Sequence, residues 1–305
     1  MLDLLYNRLP NGHPDRILKG GTSLSKAFGL IERFSEDIDF VVFRDGLGFV
    51  GERDPTVVDN ISNAKRRALF KELVAACSCY VLGDLKTELT TLLGKLPIAN
   101  RVVMDEDDND RQTLLVEYPS LYGDSAYVSP RVKIEAGARS ATVPAVSCSI
   151  RPYIAEELSG WVLNVRGIRA IAPERTYWEK LLILHGLHCG YRDEERVPAD
   201  RHRLSRHYYD AAILTDTEIG KAALANPDLL RAVREHNLRA FRQAWKRFEE
   251  AVPGSVRLVP QSRLRAEIER DYEAMQGMIL GDVPDFGWII EQLQYAESSI
   301  NRNCG

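Results

Sequence analysis

The chain has 305 residues, 45% hydrophobic and 28% charged, with 40 Lys and Arg against 44 Asp and Glu for a formal charge of −4. That length buries a sizeable core without disulfide or metal staples and fits two domains of ordinary size, while the charge balance excludes a uniformly basic nucleic-acid binder and leaves polyanion contact to a local patch. No window approaches the roughly 18 apolar residues of a membrane span, the opening MLDLLYN meets proline too soon for a secretion-signal core, and five scattered cysteines give no disulfide framework; a reduced cytoplasmic protein is expected.

In chain order, Arg16–Lys19 reads as a short strand that meets Gly20-Gly21. Thr22 and Ser23 then cap a helix carrying Leu24, Phe28 and Ile31. Ile38–Phe43 is a buried strand. Residues 63–94 form a long helical stretch with Leu69, Leu73, Leu85 and Leu89 on its apolar side and Gly83 as a possible break. Strands follow at 111–117 and 132–135, one more lies between Pro144 and Pro152, and another runs over 161–168. From Pro173 the pattern turns helical: Trp178, Leu181, Leu182 and His185 keep the i, i+3, i+4, i+7 spacing. Further helices are expected over about 206–216, 227–251, 260–280 and 285–300. The reading is α+β: an N-terminal α/β domain, a boundary near 150–172, and an all-helical C-terminal domain.

The chemistry concentrates in Leu18–Phe40, LKGGTSLSKAFGLIERFSEDIDF. A strand that ends in Gly-Gly and flows into a helix lets backbone N–H groups approach a phosphate. Sixteen residues beyond Gly21 comes Asp37, then Asp39. In a strand, residues i and i+2 share a face, so both carboxylates project together and face solvent while Ile38 and Phe40 enter the core. Two hard oxygen ligands on a rigid face suit Mg²⁺ or Mn²⁺ whose shell substrate phosphates complete. In Arg131–Glu135 the alternation pairs Lys133 with Glu135 on one face. Glu135 either completes a metal triad or accepts the proton of an attacking hydroxyl; the pair also reads as an ordinary solvated face.

These motifs, with YPSLYGDSAYVSPRVKIEAGARS, PERTYWEKLLILH, SRHYYDAAIL and MQGMILGDVPDF, resemble the DNA polymerase β-like nucleotidyltransferases, and within them the AbiEii/AbiGii toxins of type IV toxin–antitoxin systems, which are related to the mycobacterial MenT toxins. Only nineteen residues precede Gly20-Gly21, where the resemblance leads one to expect additional helix. The resemblance implies a polymerase β-like catalytic domain over 1–155 and a helical domain over 156–305 that completes the active-site cleft and contacts the acceptor. It implies that Gly20, Gly21 and Thr22 cradle a nucleoside triphosphate and that Asp37 and Asp39 hold the metal. It also implies that Lys180 contacts the phosphates and that Asp210 is needed for activity. By position alone Lys180 borders an apolar stripe and Asp210 reads as a solvent-facing helix aspartate. The implied acceptor is an RNA, a tRNA 3′ end, and the implied partner an AbiEi-like antitoxin that need not touch the toxin.

Six basic residues between 226 and 248 (Arg231, Arg234, Arg239, Arg242, Lys246 and Arg247), with Arg201, Arg203 and Arg206 upstream, mark a basic side; Arg206, Arg239 and Arg242 are the candidate RNA contacts. An ordinary charged helix face reads equally well. His185-x-x-His188-Cys189 has metal-like spacing, yet His185 lies on the apolar stripe and reads as a core histidine. Asp105–Asp110 lacks the glycine and closing Glu of an EF-hand and reads as a turn. Two alternatives stay open: transfer to a protein or small-molecule hydroxyl of the aminoglycoside kind, and a nucleotide-binding regulatory module without turnover.

Overall fold

A computed structural model of the full chain describes residues 1–35, 37–120, 129–158, 163–198 and 203–302. Glu36, residues 121–128 of the YPSLYGDSAYV stretch, Trp161, Arg201 and Cys304 fall outside them. The chain divides into two units. The first comprises Met1–Ala27 and Ser35–Ile171; the second comprises Phe28–Phe34 and Ala172–Gly305.

The first unit is built on a seven-stranded mixed sheet. Its strands are β1 (Arg16–Leu18), β2 (Asp37–Val42), β3 (Arg101–Met104), β4 (Thr113–Glu117), β5 (Arg131–Gly137), β6 (Ala145–Ile150) and β7 (Val165–Ile171), in the order β3-β4-β5-β2-β1-β7-β6. At the centre β2 runs parallel to β5 and antiparallel to β1, while β1 runs parallel to β7. Apolar residues on these central strands, Ile17, Val41 and Ile171, form one buried cluster. The expected division at 155/156 falls instead at 171/172, because β6 and β7 pair with each other and β7 closes onto β1. The last strand is described from Val165, and the expected start at Trp161 lies outside the described residues.

The long helical stretch forms as α2 (Asn63–Tyr80) and α3 (Lys86–Leu93), joined by a wider turn over Val81–Leu85. The Ser62 hydroxyl caps α2 by accepting from the Lys65 N–H at 3.1 Å. Gly83 does not break the stretch: nothing crowds it, and the apolar residues on both sides are buried. β3 was not legible because it has four residues, only Val102 of them buried.

The helix after Gly-Gly is shorter than expected. α1 (Gly20–Thr22) continues through Ser23–Ala27 and stops there, since Gly29 takes φ +61°. Phe28–Phe34 then joins the second unit, where Arg33 pairs antiparallel with Ile279, Phe34 N–H donates to the Met278 carbonyl at 2.7 Å, and Leu280 N–H donates to that of Glu32 at 2.7 Å.

The second unit is otherwise helical, with α4 (Pro173–Glu194), α5 (Ser205–Thr215), α6 (Glu218–Leu224), α7 (Pro227–Ala240), α8 (Ser262–Met275) and α9 (Phe286–Arg302). The expected 227–251 helix ends at Ala240, and short turns over Ala244–Lys246 and Phe248–Glu250 follow. Packing on α4 overrides helix propensity here. A Cβ on Gly190 would come 2.7 Å from the Trp245 ring and one on Gly186 3.1 Å from Lys246, so two glycines on α4 make room for this segment. Among the described residues no helix is long and apolar enough to cross a membrane.

Candidate functional site

The parallel pairing of β2 and β5 sets Asp37 opposite Lys133 and Asp39 opposite Glu135, so these four side chains share one face of the sheet. The face is more enclosed than a solvated strand. Asp37 is buried, and Asp39 and Glu135 are partly so, which corrects the expectation of two solvent-facing carboxylates. On the opposite face Ile38 is buried beside a cavity of about 800 Å³ that Thr22, Lys26 and Val132 also line.

Gly20 is required where it stands. Its φ is +74°, and a Cβ there would lie 2.7 Å from Asp39 Oδ2, so any side chain at this position would collide with the Asp39 carboxylate. Lys19 N–H donates to the Asp39 carbonyl at 2.9 Å, and its ammonium lies 4.0 Å from Asp39 Oδ1. The Thr22 hydroxyl donates to the Asp37 carbonyl and shares a 2.7 Å hydrogen bond with Ser35. Its side chain thereby fastens α1 to β2.

Lys133 organises the carboxylates. Its Nζ lies 2.7 Å from Glu135 Oε1 and 3.6 Å from Asp105 Oδ2. Burial and then the neighbouring charge of Asp39, which is also hydrogen-bonded to it, push the Glu135 carboxyl up; Lys133 opposes the shift. The Lys133 ammonium is pushed down by burial, but Glu135, Asp37 and Asp105 outweigh this and raise it. Crowded carboxylates with a surplus of negative charge are a fitting donor set for a hard divalent cation. Among the described residues, however, no three His, Cys, Asp or Glu side chains converge into a ready cage.

Lys180 and Asp210 are brought together inside the second unit. Asp210 on α5 is fully buried, not a solvent-facing aspartate. Lys180 Nζ on α4 lies 2.7 Å from its Oδ2, and Arg33 binds it bidentately at 2.8 and 2.9 Å. Burial opposes the Asp210 charge, but Arg33 and Lys180 outweigh it and hold the carboxyl far below the usual range. Burial pushes the Lys180 ammonium down despite Asp210. Sequence reading missed Arg33, for which a partner 177 residues away leaves no local signal.

Two of the basic residues are neutralised by acidic neighbours. Arg231 pairs with Asp228, and Arg247 pairs with Asp193. Arg242 is exposed beyond the end of α7, and Arg206 and Arg239 are half-buried. His185 is a core residue as expected. Its Nδ1 accepts from the Arg257 N–H at 3.1 Å, so Nε2 carries the proton toward the Arg247 carbonyl at 3.2 Å. In the acidic 105–110 stretch, Asp108 accepts from Gln112 N–H and the Thr113 hydroxyl, an ordinary turn that launches β4.

Residues 3–292 match the family described as nucleotidyl transferase AbiEii toxin of type IV toxin–antitoxin systems. No curated protein matches the chain in sequence. Among solved structures, the chain is similar to MenT4, a nucleotidyltransferase toxin of Mycobacterium tuberculosis H37Rv, at 15% identity over 96% of this chain and 86% of that one, with a TM-score of 0.42.

Proposed function

The chain belongs to the AbiEii nucleotidyltransferase toxin family, and from that premise we propose that it transfers a nucleoside monophosphate from an NTP to the hydroxyl of an RNA acceptor, a tRNA 3′ end, and so arrests growth. The observation that carries this reading is the carboxylate face: Asp37 and Asp39 share one face of β2, and Gly20 stands so near the Asp39 carboxylate that no side chain fits between them. A triphosphate that approaches the Gly20-Gly21 backbone comes to lie beside both carboxylates.

Asp37 and Asp39 would hold Mg²⁺ or Mn²⁺, which when bound neutralises the triphosphate and the charge that develops at the leaving pyrophosphate. Gly20 and Gly21 offer backbone N–H groups to phosphate oxygens. Glu135, whose carboxyl is held above its ordinary range, accepts the proton of the acceptor hydroxyl. The hydroxyl oxygen then bonds to the α-phosphorus, the bond to the β-phosphate oxygen breaks, and pyrophosphate leaves. Lys180 keeps the proposed role of contacting the phosphates. Asp210, enclosed by Lys180 and Arg33, fixes the Lys180 ammonium and does not touch substrate. Catalysis of this kind rests on positioning and charge neutralisation. Arg206, Arg239 and Arg242 are the proposed contacts to the RNA backbone, and an AbiEi-like antitoxin is the proposed partner.

The test is incubation of the full chain with each labelled NTP and total RNA, followed by separation of RNA, protein and small molecules. Label on RNA that disappears in Asp37→Asn supports the reading. Label on protein or on a small molecule moves the acceptor to that class, and nucleotide binding without pyrophosphate release returns the chain to a regulatory module.

A further inference from the structure

One amino group stands among carboxylates from three separate elements. Lys133 on β5 bonds Glu135 two residues along the same strand, reaches Asp105 just beyond β3, and faces Asp37 across the β2–β5 pairing. An exposed ion pair would contribute about 0–1 kcal/mol and organise nothing. This ammonium is only about one-third exposed, and its partners do not share a local segment. Glu135 is gripped from two sides, by Lys133 at Oε1 and by a carboxyl contact to Asp39. Lys133 therefore decides which way the Glu135 carboxylate turns.

We propose that Lys133 is the built-in counter-cation of this face, a positioning residue that holds Glu135 back from the divalent ion and confines ion binding to Asp37 and Asp39. The proposal rests on the nucleotidyltransferase reading of the site. A compact ammonium with three donors serves two or three carboxylates at once without a fixed planar geometry. It also takes the charge that would otherwise draw a more tightly held ion into the cluster. Removing it frees Glu135 as a third oxygen ligand and leaves the face with one more uncompensated negative charge.

The experiment measures Mn²⁺ binding to the full chain by the electron paramagnetic resonance of the free ion, with thermal unfolding in chelator beside it. Wild type, Lys133→Gln, Lys133→Arg and Asp37→Asn are compared. Lys133→Gln is expected to bind Mn²⁺ about tenfold more tightly than wild type, equivalent to about 1.4 kcal/mol. It should also unfold at lower temperature without metal, and it should regain that loss when Mn²⁺ is added. Its kcat should fall while the KM for NTP stays near wild type, since Glu135 is turned away from the acceptor. Lys133→Arg keeps the charge and should keep wild-type Mn²⁺ affinity.

Equal or weaker Mn²⁺ binding by Lys133→Gln overturns the proposal. If Asp37→Asn meanwhile loses Mn²⁺, the metal reading of the site stands and only the role of Lys133 falls. If wild type binds no Mn²⁺, or Asp37→Asn binds it unchanged, the metal reading has failed and the proposal falls with it.

Discussion

Replacing Asp210 by Asn removes one charge and almost no volume, yet it should be among the most damaging single changes in the helical unit. Asp210 accepts three charge-assisted hydrogen bonds, at 2.7 Å from Lys180 and at 2.8 and 2.9 Å from Arg33, and all three side chains are at most 7% exposed. The substitution strands two adjacent cations in a buried site. Removing one partner from a buried ion pair costs about 3–5 kcal/mol, and at about 2–4 °C per kcal/mol the melting temperature should fall by about 6–20 °C. Lys180→Met is the informative comparison, because it leaves the Arg33–Asp210 fork intact and should cost clearly less. Equilibrium urea unfolding of both variants, followed by the intrinsic tryptophan fluorescence to which the buried Trp178 of the same unit contributes, reads the difference. A wild-type midpoint for Asp210→Asn, or equal losses in the two variants, would refute the reasoning. If it holds, lost activity in Asp210 variants reports structure first.

Gly20→Ala should abolish transfer and cost about 1–2 kcal/mol, from a positive φ and a Cβ 2.7 Å from Asp39 Oδ2; melting temperature and KM for NTP check it. The Glu135 carboxyl is raised in the fold, so its stabilising effect is complete below the ordinary value of 4.5 and is lost as pH rises through the folded value. Metal-free Glu135→Gln should accordingly melt above wild type at pH 8 and equal to it near pH 4, and a gain at both would refute this. His185 is pushed down by burial, so its neutral form stabilises the fold above pH 6.5 and that stability is lost as pH falls below it. Urea midpoints should drop between pH 7 and 5, and His185→Gln, which keeps a donor and an acceptor, should flatten part of that slope. Replacing Arg239 and Arg242 together should make the salt dependence of RNA binding shallower by up to about two in log–log slope; an unchanged slope removes them from the RNA surface.

What could be read from the sequence depended on range. The period-two Asp37-x-Asp39 and the 3.6-period stripe of α4 are local signals, and both appear in the structure at the expected residues, whereas the helix expected to be capped by Thr22 and Ser23 already begins at Gly20, with Lys19 as its N-cap. The facing of Lys133 and Glu135 was also legible from alternation. Their pairing against Asp37 and Asp39 was not, because the register of two parallel strands about a hundred residues apart leaves no trace in either. Burial of Asp37 and Asp210 ran against residue type for the same reason, since the compensating cations Lys133, Lys180 and Arg33 come from other elements. The exit of the chain at Gly29 looked like more helix, because Phe28 and Ile31 keep helical spacing while pairing with 278–280 decides the outcome. On α7 the helical pattern yielded to the packing room at Gly186 and Gly190.

The passage of Phe28–Phe34 through the second unit has a consequence for synthesis. Arg33 leaves the ribosome 177 residues before Asp210, which at about 5–20 residues per second is a wait of roughly 9–35 s. During that interval the guanidinium has no Asp210, and the segment between α1 and β2 lacks the 278–280 stretch that it finally joins. The helical unit therefore has a high-contact-order closing step that cannot occur until residues 278–280 have emerged. For the same reason, expression from Ala172 onward yields a fragment whose Lys180–Asp210 pair lacks its guanidinium, whereas a permuted chain that appends 28–34 to the helical unit restores it. The second unit is thus locked in two stages, the Arg33–Asp210 pair once residue 210 has emerged and the pairing of 32–34 with 278–280 about seventy residues later.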